Sequence, residues 1–172
     1  MVHEKKNRLT LALFCIYLLV LVWSILFKFH VSLSDIQADR AINLIPFQDS
    51  VSVSGLRSME ILVNILVFIP FGTYMGILTF NRPFWTKVLL IFGTSLVLEI
   101  VQYICSIGRT DITDLLNNTL GGMLGIVIYR ALHKILKTRA AKVVNLFSMM
   151  AIILVPLFIA LYLSITGIRI RL

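Results

Sequence analysis

The chain has 172 residues, of which 59% are hydrophobic and 14% charged, with a formal net charge of +8. Its mean hydropathy of +0.95 excludes an ordinary water-soluble domain and fits one membrane domain spanning residues 1–172. Lys and Arg sit in short stretches between apolar segments, not on a soluble face interleaved with exposed aromatics, so nucleic acid is not an expected partner.

A helical membrane crossing needs about 20 predominantly apolar residues. Five segments approach that length: 9–29, 59–78, 87–107, 111–129 and 143–165. The fourth is the weakest, because its first two turns are polar. The expected fold is therefore an all-α polytopic membrane helix bundle. The N-terminal Lys5-Lys6-Asn7-Arg8 before an apolar run resembles the start of a signal peptide. That run is too long for a signal h-region and no A-x-A-like site follows, so it reads as an uncleaved first span.

Positive residues favour the cytoplasmic side. With the N-terminus inside, Lys5, Lys6, Arg8, Arg82, Lys87, Arg130, Lys134, Lys137, Arg139 and Lys142 lie inside. Lys28, Arg40, Arg57, Arg109, Arg169 and Arg171 lie outside, which is ten against six. The expected topology is N-in/C-out, in a cell membrane. The loop 30–58 is then external. Its apolar island at 42–47 is too short to span. It can dip into the interface with Phe47 as anchor, or cover the helix ends. Cys15 and Cys105 fall on opposite faces in this topology, which excludes a bridge between them.

Five polar residues interrupt this apolar pattern: Glu99, Gln102, Asp111, Asp114 and Asn118. A carboxylate within a membrane costs about 2.5 kcal/mol or more unless compensated, so such residues read first as a functional or structural site. By helical rise, Asn64 lies ~7 Å below the start of span two, Asn118 ~10 Å below that of span four, and Glu99 ~12 Å from the outer end of span three. Three segments thus deliver polar side chains to one depth, whichever way the chain is inserted.

The rotational phases agree. Glu99 and Gln102 share a face. Asp111, Asp114, Asn118, Gly121 and Gly125 fall on one face of span four, polar outside and glycine further in. Gly72 and Gly76 repeat the small-residue spacing on span two. Small residues let helices approach closely in lipid. The expected assembly packs spans two, three and four at these faces, with the polar groups converging above the glycines.

Each residue also has a plain structural reading. Asp111 can cap a helix start. Asn64 and Asn118 can be interhelical glue. Arg109 can anchor at the interface or pair with Glu99 or Asp114. Pro70 can kink span two. Glu99 is the hardest to treat as structural, because it lies deepest and has no capping role.

Other chemistry is weakly signalled. There is no H-E-x-x-H, nucleophile elbow or P-loop. His3, His30 and His133 are scattered. The sequon Asn117-Asn118-Thr119 falls within a membrane helix and reads as chance. No metal or other cofactor is expected.

The stretches Asn43-Leu44-Ile45-Pro46-Phe47 and Asn64-Ile65-Leu66-Val67-Phe68-Ile69-Pro70-Phe71-Gly72, Glu99 with Gln102, Asp111-Ile112-Thr113-Asp114 and Asn118-Thr119-Leu120-Gly121-Gly122 resemble the VanZ family of small bacterial membrane proteins. Their order and spacing run from about residue 43 to 129, and the first and last spans fit the same layout. The resemblance implies low-level resistance to teicoplanin and related lipoglycopeptides, without a D-Ala-D-Lac precursor switch. It supplies no catalytic residues.

Four functions stay open at this point. One is a binding or exclusion protein whose outer-leaflet pocket takes membrane lipid, a lipoglycopeptide or a cell-wall precursor lipid. A second is an enzyme modifying an envelope lipid or surface polymer, with Glu99 or Asp114 as general base, or with Glu99, Asp111 and Asp114 holding a divalent cation. A third is a proton- or ion-linked transporter. A fourth is a structural partner of the cell-wall machinery. The first is favoured, because no nucleophile or electrophile partner is identifiable and no paired discontinuous repeats occur. Composition is silent on oligomeric state.

Overall fold

A computed structural model of the chain describes residues 8–27, 42–43, 45, 55–105 and 110–166. Among these are five helices: α1 (Arg8–Phe27), α2 (Gly55–Leu78), α3 (Phe84–Cys105), α4 (Ile112–Leu136) and α5 (Ala140–Thr166). Two short strands, β1 (Ile42–Asn43) and β2 (Thr110–Asp111), form a parallel ladder that pairs Ile42 with Thr110 and Asn43 with Asp111. Phe47, Arg57's side chain and Arg109 lie outside the described structure, as does most of the loop 30–58.

Four stretches are long and apolar enough to cross a membrane: Arg8–Ile25, Met59–Leu78, Phe84–Cys105 and Ile112–Leu154. The last joins α4 to the first part of α5. Helices α2, α4 and α5 overrun the segments read from hydropathy. Helix α2 begins before Met59, and α4 carries Arg130, His133 and Lys134. Hydropathy stops at a charge, but backbone hydrogen bonding does not; long basic side chains let a helix run on into the interface. The α4–α5 connection is a single 3-10 turn, Lys137–Arg139. Lys137 takes a positive φ of 48° there, and its N–H donates to the His133 carbonyl. Helix α2 runs through Pro70 without a break.

The most extensive helix contact is between α2 and α4, followed by α3 with α4. Glycines make the first possible. A Cβ on Gly121 or Gly125 would lie closer than 3.0 Å to the backbone of Ile65 or of Ile69 and Thr73, and one on Gly72 would strike the backbone of Gly122. Gly76 meets the Tyr129 ring, and Gly122 meets the Ile91 side chain of α3. Ile65, Ile69 and Gly76 thus pair in ascending order with Gly121, Gly125 and Tyr129, so α2 and α4 run parallel. Helix α3 runs against α4, because Ser95 bonds Asn118 while Ile91 meets Gly122 further on.

Helix α1 packs on the other side of α2 through an aromatic core of Phe14, Tyr17, Phe71 and Tyr74. The Tyr17 hydroxyl donates to the Val67 carbonyl at 2.7 Å. Asn145 of α5 donates to the Thr10 hydroxyl at 2.8 Å, tying the starts of α5 and α1 together. One end of the bundle therefore gathers the starts of α1, α3 and α5 and the ends of α2 and α4. Arg8, Arg82, Lys87, Arg130, Lys134, Lys137, Arg139 and Lys142 all belong to that end. The outer surface is largely apolar, with Leu19, Leu89 and Ile135 about 70% exposed or more. A face of this kind suits lipid rather than water.

Candidate functional site

The polar residues gather at the end opposite the basic one. Asp111 takes extended backbone angles (φ −126°, ψ 126°), and its Oδ1 accepts the Thr113 N–H at 2.8 Å. It is therefore the N-cap of α4, satisfying one of the amides a helix start leaves unpaired. Its other oxygen accepts from Asn43 Nδ2 at 3.1 Å. Asn43 in turn accepts the Ile45 N–H at 3.2 Å, an Asx-type turn. The segment around Asn43 is thus strapped across the α4 start by the β1–β2 ladder and by this side-chain bond. Of the apolar island, Ile42 and Asn43 lie against the α4 start, while Leu44, Pro46 and Phe47, on which the choice between dipping into the interface and covering the helix ends rests, lie outside the described residues.

Asp114 lies in the first turn of α4, where the helix dipole favours a negative charge. Its Oδ1 accepts from Asn64 Nδ2 at 2.7 Å, which joins α4 to α2. Glu99 is 3% exposed, and its Oε2 faces the Asp111 N–H at 3.4 Å, which joins α3 to α4. One turn deeper, Asn118, fully buried, donates to Ser95 Oγ at 2.9 Å. Asn64, Asp114, Glu99, Asp111 and Asn118 are thus brought together from three helices. Below them lie the glycine contacts of Gly121 and Gly125.

Gln102 departs from the expected convergence. Its Nε2 donates to the Ile25 carbonyl of α1 at 2.6 Å. Ile25 lies in the last turn of α1, where carbonyls lack an intrahelical partner. Gln102 therefore caps α1, and it extends the polar layer to a fourth helix. Arg109 lies outside the described residues.

Two members escaped the sequence reading. Ser95 lies four residues before Glu99 and seven before Gln102, so helical spacing put it on their face. Asn43 stands in a stretch that carries the family resemblance, but its partner lies 68 residues away. Three buried atoms in or beside this layer have no hydrogen-bond partner among the described residues: Asn118 Oδ1, Gln102 Oε1 and Asn117 Nδ2. Among the described residues, no group of three or more His, Cys, Asp or Glu is arranged to hold a metal ion. Cys15 and Cys105 are both free.

The arrangement offers carboxylate and amide oxygens at a helix-bundle end, with apolar walls beneath. Chemically it can accept hydrogen bonds from a hydroxyl- or amine-bearing group, or hold protons.

Comparison with known proteins bears on what the cluster serves. Residues 14–137 match the family described as VanZ/LLP1. The chain is also 35% identical over 128 residues to Protein VanZ of Enterococcus faecium, covering 73% of this chain and 76% of that one. No solved structure matches.

Proposed function

The chain belongs to the VanZ/LLP1 family of membrane proteins, and from that premise we propose that it confers low-level resistance to teicoplanin and related lipoglycopeptides. It acts as a multi-pass protein of the bacterial cell membrane with five crossings, N-terminus inside. Its outer-leaflet polar pocket binds an envelope lipid, or the drug near its lipid anchor, and lowers the drug's access to its target.

One observation carries this reading. Polar side chains from α2, α3 and α4 meet at the end of the bundle away from the basic residues. The excess of positive charge marks the cytoplasmic side, so the polar end faces outward, where glycopeptides act. A binding role also suits residues that are largely held by one another, since a pre-ordered polar site recognises a head group at little entropic cost. Asn64, Glu99, Asp114 and Asn118 line the pocket, while Asp111 and Gln102 hold helix ends around it.

The test is expression in a susceptible Gram-positive host. Tolerance to teicoplanin should rise more than tolerance to vancomycin, because only teicoplanin carries an acyl chain that reaches the membrane. The peptidoglycan precursors should still end in D-Ala-D-Ala. Equal protection against both drugs would point instead to a change in the shared peptide target.

A further inference from the structure

The basic end of the bundle holds a feature that this function does not use. Lys87, in the first turn of α3, is only 3% exposed. Its ammonium has three donors, and one goes to the Phe80 carbonyl at 3.3 Å, just past the end of α2. That carbonyl lies at the negative end of the α2 dipole, which offsets part of the charge. The Phe80 ring sits with its centroid 6.0 Å from Nζ. No carboxylate pairs with Lys87 among the described residues.

The sequence explains why. No Asp or Glu occurs between Glu60 and Glu99, and none follows Asp114. Both flanking carboxylates belong to the opposite end of the bundle. What surrounds Lys87 is more positive charge. Arg130 of α4 is near enough to repel it, and the Arg130 guanidinium lies 5.0 Å from the Phe84 ring centroid, held in place yet exposed. His133 Nδ1, on the same face of α4, is buried without a hydrogen-bond partner among the described residues. A buried cation without a counter-charge is costly, and two adjacent cations more so.

We infer that the α2–α3 turn and the end of α4 form a binding site for the phosphate head group of an anionic phospholipid, with Arg130 in direct contact and Lys87 beneath it. The single negative charge of a phosphodiester over Arg130 offsets part of the charge of this cation pair, and the planar guanidinium pairs with phosphate oxygens two at a time. The surroundings fit a lipid rather than a free ion. Trp85 is 72% exposed and Phe80 44%, as interfacial aromatics are. Beyond Trp85, exposed Leu89 and Leu90 continue along α3 and give acyl chains an apolar track. Basic sites at helix ends are a recurring way of holding anionic head groups.

The test is the melting temperature of the full chain in mild detergent with phosphatidylglycerol, phosphatidylcholine or inorganic phosphate added. Saturating phosphatidylglycerol should raise Tm on the order of 5 °C, and the other two should leave it unchanged. Arg130→Gln should abolish the shift. Lys87→Met, which fills the same space without charge, should fold and lose most of it. Lys142→Gln removes an equal charge from an exposed position elsewhere and should keep the shift. An equal response to phosphatidylcholine would overturn the site, as would a shift that survives in Arg130→Gln or disappears in Lys142→Gln. A response to inorganic phosphate alone would overturn the lipid assignment. Should a variant fail to fold, native mass spectrometry of the wild type decides: retained phosphatidylglycerol is expected, and retained lipid without preference for anionic head groups overturns the inference.

Discussion

At the residue scale, the carboxylates divide by what already occupies them. Asp111 spends one oxygen on the Thr113 amide and the other on Asn43. Its work is to start α4 and hold the strap. Asp111→Ala should therefore lower stability by about 1–2 kcal/mol, as loss of a helix cap does. Asp111→Asn keeps an N-cap acceptor and should recover most of that in unfolding followed in detergent. Equal losses in the two variants would mean that charge rather than capping matters. Glu99 is different, because it is not itself a cap residue and lies in the polar layer between α3 and α4, its Oε2 facing the Asp111 N–H. Glu99→Gln keeps the shape and removes the charge. If the carboxylate serves the proposed function, teicoplanin protection should disappear while the protein stays inserted and folded. If Glu99 only balances a neighbouring charge, its loss should destabilise the fold by several kcal/mol. Full protection in a fully stable variant would rule out both roles.

At the element scale, contact is set by where helices lack side chains. Gly121 and Gly93 illustrate the contrast. A Cβ at Gly121 would collide with the Ile65 backbone, whereas one at Gly93 would meet nothing within 4 Å. The same substitution should then have opposite signs. Gly93→Ala should raise stability by about 0.5–1 kcal/mol, the usual helical penalty of glycine. Gly121→Ala should lower it and reduce the folded protein recovered in mild detergent, because backbone cannot move aside. Similar melting temperatures for both would count against a packed α2–α4 face. The periodicity of Gly121 and Gly125 already marked a contact stripe in the sequence. The second stripe, Gly122 against Ile91, was not legible there, because adjacent glycines differ in phase by about 100° and only the neighbours decide which of them is used.

At the scale of the whole molecule, the separation of charge from polar cluster predicts orientation. With Cys15 and Cys105 replaced by Ala, a cysteine introduced at Lys137 should resist an impermeant reagent in intact cells. A cysteine at Asp49 should react. The reverse pattern would invert the bundle and place the polar cluster in the cytoplasmic leaflet, away from the side that the proposed function requires.

The sequence by itself determined the class of this protein. Hydropathy and its period are local properties, so the helical fold and the polar residues that interrupt it are readable along the chain; the five segments read there correspond to four membrane-length stretches in the structure, the last two being joined in Ile112–Leu154. Helical rise put Asn64, Glu99 and Asn118 at similar depths and helical phase put Asp114 on the face of Asn118, because rise and rotation per residue are constant. Helix ends were less legible, since a charge ends a hydropathy window without ending a hydrogen-bonded helix. Tertiary structure alone decided who meets whom. Gln102 could face α4 or α1, and it turns to the unpaired carbonyl of Ile25, 77 residues away. Asn43 becomes a strap only because Asp111 stands beside it in the folded chain. Lys87 becomes a buried charge only because the end of α2 closes over it. Such pairings depend on how each helix is rotated and packed against its neighbours, and that is settled by side chains distant in sequence.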